Sequence, residues 1–276
     1  GYINTKYHEG SIAITKDKST LYFTRNDFLY EKYREDDNGV NNLKIYKATL
    51  VNEMFQDIQD LPFNDISFSN SNPALSPDGS QLYFSSDRAG GYGSSDLYVV
   101  DINVDGTYGS PQNLGPTLNT EGRENFPFVD EEDMLYFSSD GHLGLGGLDV
   151  FYSKVDSGNF TPPQNLGHPL NSNADDFAFT YNGNVELGFV SSNRTTNKKE
   201  ERTDNIYRAK LVSPLEQTSV LVEVVDATTE VHIQDAQLIF YDTTQNEYSR
   251  SRTTASGNSS NFLPTEKKFD LQVNAE

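Results

Sequence analysis

Four acidic positions recur at fixed places along the chain: Asp87 and Asp140 open two loops, and Asp96 and Asp149 close them. Hard oxygen donors repeated in this way could ligate calcium. A repeated Asp in a loop more commonly closes a turn by accepting backbone amides, and that reading is preferred here. The loops themselves, residues 87–95 and 140–147, are rich in glycine and could be taken for phosphate cradles. A phosphate loop, however, runs from a strand into a helix. These run into the apolar stretches Leu97-Tyr98-Val99-Val100 and Val150-Phe151, so nucleotide binding is not expected. The glycines are expected to supply positive φ in a tight connection between strands. Histidines His8, His142, His168 and His232 are scattered, and none belongs to an H-E-x-x-H pair. His142, inside a glycine loop, is expected to bond a carbonyl. There is no G-x-S-x-G elbow, and paired carboxylates of glycosidase geometry cannot be read from one sequence. No catalytic residue, metal or cofactor is predicted, and the protein is expected not to be an enzyme.

The elements that position these residues repeat. An aromatic strand appears as Leu21-Tyr22-Phe23, Leu82-Tyr83-Phe84 and Leu135-Tyr136-Phe137, with a weaker copy at Gly188-Phe189-Val190. Phe23 and Phe84 are 61 residues apart, and the steps to Phe137 and Val190 are 53 each. A second strand recurs as Lys44-Ile45-Tyr46, Asp96-Leu97-Tyr98, Asp149-Val150-Phe151 and Asn205-Ile206-Tyr207. The exits Pro111-Gln112-Asn113-Leu114-Gly115 and Pro163-Gln164-Asn165-Leu166-Gly167 match residue for residue. Between strands lie turns such as Ser76-Pro77-Asp78-Gly79, where Pro sets φ and Asp bonds its own backbone. About four short strands per repeat of this length predict an all-β chain, a β-propeller with four visible blades. A solenoid or sandwich is the alternative. One member at least of each pair, Tyr83 with Phe84 and Tyr136 with Phe137, should be buried, since both faces of a blade are covered.

Composition narrows the function. The 276 residues carry a net charge of −20 and no cysteine. An acidic chain without a basic patch cannot displace phosphate counterions, so nucleic acid is excluded as a partner. Without thiols there is neither a disulfide nor a thiolate metal site. No apolar run reaches the roughly 18 residues of a transmembrane helix. Only 35% of residues are hydrophobic, but 16 Tyr and 17 Phe supply burial.

In chain order, Ile3-Asn4-Thr5 matches Leu118-Asn119-Thr120. Residues 1–5 are therefore expected to be the last piece of a preceding blade, within a larger propeller. The first visible repeat, residues 7–64, carries an insertion at 31–42. Beyond Pro214 the pattern changes to longer strands, Ser219-Val220-Leu221-Val222-Glu223-Val224-Val225 and Ala236-Gln237-Leu238-Ile239-Phe240-Tyr241. Residues 1–213 are assigned to the propeller and 214–276 to a small β-sandwich, cut short at its end.

The motif Leu75-Ser76-Pro77-Asp78-Gly79 before an aromatic strand and Ser85-Ser86-Asp87-Arg88 resembles the TolB-like periodic propeller repeat. The fuller pattern is Tyr136-Phe137-Ser138-Ser139-Asp140-Gly141-His142, then Gly144-Leu145-Gly146-Gly147-Leu148-Asp149-Val150-Phe151, then Gln164-Asn165-Leu166-Gly167. It is similar to the periplasmic region of Bacteroidetes OmpA-family proteins, including the PorE type of the type IX secretion and gliding system. The segment after Pro214 resembles their carboxypeptidase regulatory-like domain. The resemblance implies a non-enzymatic scaffold on the periplasmic side of the outer membrane. Its protein partners would be envelope components, a type IX β-barrel among them. Peptidoglycan association would belong to a domain outside this sequence. A propeller accompanying a peptidase or glycan hydrolase, or one that binds glycans, is the alternative. Ser76-x-Asp78-x-Ser80-x-x-Tyr83 also resembles the Asp-box of sialidase propellers, itself a structural turn. Loops 87–95, 140–147 and 193–205 occupy one place in three repeats and are expected to share a face. Arg88, Tyr92, His142 and Arg194 are the candidate partner-binding residues on it, Tyr and Arg being enriched at binding hot spots.

Overall fold

A computed structural model describes residues 3–156, 159–195, 203–210, 217–264 and 267–275. The fold class is the expected one: strands throughout, arranged as successive propeller-type meanders. The first repeat holds β1 (Glu9–Ile14) and β2 (Thr20–Asn26), the inserted hairpin β3 (Phe28–Leu29) and β4 (Lys32–Tyr33), then β5 (Leu43–Val51) and β6 (Met54–Asp60). The second holds β7 (Asn70–Leu75), β8 (Gln81–Ser86), β9 (Asp96–Asp101) and β10 (Gln112–Asn113). The third holds β11 (Glu124–Val129), β12 (Met134–Ser139), β13 (Asp149–Asp156), β14 (Asn159–Phe160) and β15 (Gln164–Asn165). Among the described residues the fourth holds β16 (Asp176–Asn182), β17 (Leu187–Ser192) and β18 (Asn205–Lys210).

The chain forms two compact units, Gly1–Gly141 with Ser153–Pro162, and His142–Tyr152 with Pro163–Glu276. Both draw on the third repeat. The junction expected at 213/214 lies in residues 211–216, outside the described residues.

In the first unit the order β1-β2-β5-β6 and the order β7-β8-β9-β10 are antiparallel meanders. Strand β7 lies against β1, β2 and β5, and β11 lies against β7, β8 and β9, so successive sheets stack face to face. The aromatic strands form the filling. Tyr22, Ile45, Leu61, Leu82, Phe84, Tyr98 and Val100 make one buried cluster between the first two repeats. Burying a side chain the size of Phe84 contributes on the order of 1.5–3 kcal/mol. Tyr83 and Phe84 are both buried, and Phe137 is the buried member of its pair.

The same irregularity recurs in β7, β11 and β16. Each breaks register with its neighbour, between Ser71 and Ala74, Asn125 and Phe128, and Phe177 and Thr180. Inside these bulges Asn72, Phe126 and Ala178 take φ of 55°, 54° and 53°. A bulge adds twist to its strand, and its return in three repeats makes it part of the blade plan.

In the second unit, β19 (Gln217–Glu223) pairs with β22 (Asn258–Pro264), and β20 (Gln237–Tyr241) lies between β21 (Glu247–Arg252) and β23 (Asp270–Asn274). The two sheets bury Leu238, Phe240 and Leu263 between them, with Val220, Val222, Tyr248 and Phe269 packed around. This is the small sandwich that the change of pattern after Pro214 predicts.

Candidate functional site

The recurrent polar residues hold strands and loops in place. Asp87 accepts the Ser69 amide at 2.6 Å, and Asp140 accepts the Arg123 amide at 2.7 Å. Asn193 does the same for Asp175, at 2.9 Å, in the second unit. Each fastens the residue just before an inner strand. Asp96 is buried and accepts from the amides of Tyr92 at 2.6 Å and Gly93 at 3.0 Å. Asp149 is equally buried and accepts from Leu145 at 2.6 Å and Gly146 at 2.9 Å. The repeated aspartates therefore close the glycine loops through backbone amides.

The glycines serve a different end from the one their sequence suggests. Gly90, with φ of +91°, is the only one in loop 87–95 with a positive φ. Gly93 allows a close approach: a Cβ there would lie 2.5 Å from the Gly122 carbonyl oxygen. The loop is bound to that segment, with Ser94 N–H donating to Gly122 O at 2.8 Å and Glu124 N–H donating to Ser95 O at 2.7 Å. In the second unit a Cβ on Gly146 would lie 2.7 Å from Ser172 O. Where the first repeat lacks a glycine loop, Lys44 stands at the position of Asp96 and Asp149. Its charge is reversed, and so is its bonding: buried to 1% exposure, it donates to the carbonyls of Asp65 and Phe68. Burial pushes its pKa below the usual lysine range.

A second repeated device uses asparagine. Asn119 Oδ1 accepts the Leu97 amide at 2.8 Å while its Nδ2 donates to Leu97 O at 3.1 Å. Asn171 holds Val150 through the same two bonds, both at 2.8 Å, and Asn64 donates to Ile45 O at 2.7 Å. The exit asparagines Asn113 and Asn165 brace this clasp, accepting from Asn119 and Asn171 at 2.8 and 2.7 Å. One residue further on, Thr120 and Ser172 bond the acid four positions later, Glu124 and Asp176, and Thr5 bonds Glu9 likewise.

Of the four candidate partner-binding residues, Tyr92 is the one presented to solvent, at 50% exposure on the tip of its loop. Arg88 turns inward: Nη2 donates to Asn70 Oδ1 at 2.9 Å, Nε donates to Ser86 Oγ at 3.1 Å, and the guanidinium lies over Phe68 and Tyr98, 4.8 Å from each ring centroid. Arg194 turns inward too. It donates to the Asp176 carboxylate, the carbonyls of Pro169 and Leu170 and the Ser192 hydroxyl, over the ring of Tyr207. His142 is half-buried, its ring 5.3 Å from that of Phe151. Tyr92 and Arg88 belong to the first unit, His142 and Arg194 to the second. The third loop of the expected surface runs through residues 196–202, outside the described residues. Sequence reasoning missed Arg123, whose exposed guanidinium pairs with Asp140 at 2.7 Å, and Tyr30, exposed at a left-handed φ of 51° on the inserted hairpin.

Two carboxyls depart far from their ordinary range. Asp78 is held down to about 2 by the Ser76 hydroxyl and by the amide and hydroxyl of Ser80, the geometry of a turn. Asp149 is raised to about 7, chiefly by burial, against the pull of two amides. Among the described residues, no three His, Cys, Asp or Glu side chains gather to hold a metal ion, and no helix is long and apolar enough to cross a membrane.

No family model and no curated protein matches the chain. Solved structures similar to it include a puromycin-hydrolyzing peptidase of Mycobacterium tuberculosis, at 15% identity and a TM-score of 0.43, covering 92% of this chain and 38% of the peptidase. An α-L-arabinofuranosidase from Lactobacillus brevis is similar at 11% identity and 0.45, with 71% and 70% covered. A TolB candidate from Agrobacterium tumefaciens is similar at 13% identity and 0.43, with 99% and 91% covered. The chain thus spans well under half of the first of these proteins. Likenesses this distant do not bear on chemistry.

Proposed function

We propose that this chain is a non-enzymatic interaction module of the cell envelope. In this reading it is the propeller and sandwich portion of an OmpA-family protein on the periplasmic side of the outer membrane, serving type IX secretion or gliding. The supporting observation is the employment of its repeated polar groups. Asp87, Asp96, Asp140 and Asp149, the asparagine clasps and both inward-facing arginines hold backbone and neighbouring side chains. The chemistry that the repeats carry is architectural, and recognition is left to exposed loop residues such as Tyr92 on a rigid frame. The motif running from Tyr136 to Gly167 supports the envelope setting, through its resemblance to the OmpA-family repeats.

The test is capture from a Bacteroidetes envelope extract with the purified chain, read by mass spectrometry, beside hydrolysis assays on peptide and arabinan substrates. Recovery of outer-membrane β-barrel or lipoprotein components, without turnover, is expected. Turnover of either substrate that one point mutation abolishes would replace this reading with the enzymatic one.

A further inference from the structure

The junction between the first two repeats is sealed and the next one is not, although the same positions build both. Ile102 and Tyr108 pair across the hairpin that follows β9, and Val155 and Phe160 pair across the hairpin of β13 and β14. Ile102 and Tyr108 pack onto the buried cluster between the first two repeats. There the Tyr108 hydroxyl meets that of Tyr22, on β2, at 3.1 Å, and its ring lies edge-on to Phe63 at 5.7 Å. Tyr83 is the counterpart of Tyr22 in the second repeat. Phe160 has no hydroxyl to offer it, and the Tyr83 hydroxyl instead donates to Gln81 Oε1 at 3.1 Å. Four residues separate Val155 from Phe160 where five separate Ile102 from Tyr108. Val155 is left 42% exposed.

Two cavities of about 340 and 480 Å3 open here. Both are lined by Gln81, Tyr83, Val155 and Phe160, so they are the two ends of one groove. The groove lies within the first unit. Its ends differ in charge. One is rimmed by Asp78, Glu131 and Asp133, all exposed, and Asp101 stands behind Gln81, accepting from its Nε2 at 3.0 Å. The other offers the exposed amide side chains of Gln112 and Asn159. Among the described residues no Lys, Arg or His lines either cavity. Burial, and then the charges of Asp133, Asp78 and Asp101, raise the Tyr83 pKa, so the field of the carboxylates reaches the apolar floor.

We propose that this groove docks an extended peptide segment in which aromatic or aliphatic side chains alternate with Lys or Arg. Successive side chains of an extended segment point to opposite sides. The apolar ones then enter the groove and remove Val155 and Phe160 from water, completing the seal that Tyr108 makes at the junction before. The cations stay at the mouth and answer the acidic end, where Glu131 meets Lys16 in an exposed pair at 3.5 Å. A neutral apolar segment brings no charge to that end, and an acidic one brings the wrong sign. The amides of Gln112 and Asn159 both donate and accept, as a peptide main chain requires. The inference rests on the reading of the chain as an interaction module. It puts recognition at the opposite end of β8 from the loop that carries Tyr92.

Fluorescence anisotropy of a labelled Lys-Phe-Lys-Phe-Lys peptide with the purified chain tests this, with Lys-Ser-Lys-Ser-Lys and Glu-Phe-Glu-Phe-Glu as controls. The first should bind about tenfold more tightly than either control, or better. Val155→Arg fills the groove and sets a like charge in it, and should weaken that binding about tenfold or more. The same change at Val231, exposed in the second unit, should leave binding as it is. Glu131→Gln with Asp133→Asn removes two rim charges and keeps the shape, since asparagine tolerates the φ of 58° at position 133. It should weaken binding about fivefold, the worth of two exposed ion pairs. All these positions are exposed, so melting curves should not move. Failure of the first peptide to bind overturns the proposal. So does equal binding of the serine peptide, which would reduce the attraction to net charge, or binding that Val155→Arg does not weaken. Envelope components still captured by the Val155→Arg chain would strike the groove and leave the interaction module standing. Cleavage of a peptide held in the groove would do the reverse.

Discussion

Arg88 reaches across to the first residue of the neighbouring inner strand, donating from Nη2 to Asn70 Oδ1 at 2.9 Å, while its Nε rests on the Ser86 hydroxyl at 3.1 Å. Arg194 repeats the arrangement with Asp176 and Ser192. In the second and fourth repeats the arginine that follows the Ser-Ser-Asp or Ser-Ser-Asn turn is thus a fastener between the middle and inner strands, whereas the third repeat has Gly141 at that place. The aromatic rings beneath Arg88 complete its site.

Arg88→Ala should therefore destabilise the fold, whereas Tyr92→Ala should not. Losing a desolvated cation–π contact and leaving the buried Asn70 Oδ1 without its donor should together cost on the order of 2–4 kcal/mol. Tyr92 stands half in solvent, and its replacement should stay within about 0.5 kcal/mol of wild type. Arg88→Lys should rescue little, because an ammonium cannot stack and fork as a guanidinium does. Urea denaturation of the three variants measures this. Equal midpoints for Arg88→Ala and wild type would return Arg88 to the list of surface residues.

The sequence made the repeat visible and left the direction of its side chains hidden. Spacing between aromatic strands, the Gln-Asn-Leu-Gly exits and the change after Pro214 are properties of the letters, and all correspond to elements in the structure. Whether Arg88 faces water or Phe68 depends on which edge of the turn it leaves, which one sequence does not encode. The glycine loops misled for a related reason. Glycine is required both where φ is positive and where another backbone comes close, and only the neighbouring repeat distinguishes Gly90 from Gly93. Lys44 in place of an aspartate was legible as an exception, but its bonding to two carbonyls was not.

The two glycines give a direct test. Gly90 faces open space at φ of +91°, so Gly90→Ala should cost about 1–2 kcal/mol from backbone strain alone. Gly93→Ala would drive a methyl group into the main chain of residues 120–122 and should cost more, about 1–3 kcal/mol of overpacking together with loss of the Ser94–Gly122 bond. Melting curves decide the order. If Gly90→Ala is the more damaging, positive φ is the loop's main requirement after all.

The clasp calls for a donor as well as an acceptor. Asn119→Ala should lower stability by about 1–3 kcal/mol, since the Leu97 amide is then buried without a partner. Asn119→Asp keeps that acceptor but sets a carboxylate against the Leu97 carbonyl and Asn113 Oδ1, both of which now receive its amide hydrogens. It should cost more than the alanine at neutral pH and recover in acid. An aspartate variant as stable as wild type at neutral pH would remove the donor half of the argument.

Asp149 should give the fold a pH dependence of its own. Burial is the main force holding its carboxyl near 7 against an unfolded value of 3.8, and the charges of Asp176 and Glu247 add to it. Between those two values the folded chain binds the proton and the unfolded chain does not. The free energy of unfolding from this group therefore falls as pH rises from about 4 to about 7, and levels off above. Roughly three units at 1.36 kcal/mol each set an upper bound of about 4 kcal/mol. Asp149→Asn retains an oxygen for the Leu145 and Gly146 amides but cannot ionise. Relative to wild type it should therefore gain stability steadily across that window, with the two proteins closest near pH 4. Denaturation of both proteins from pH 4 to pH 8 measures the difference. Curves that stay parallel throughout would mean that Asp149 is ionised in the fold at neutral pH, its buried charge compensated by the two amides that it accepts.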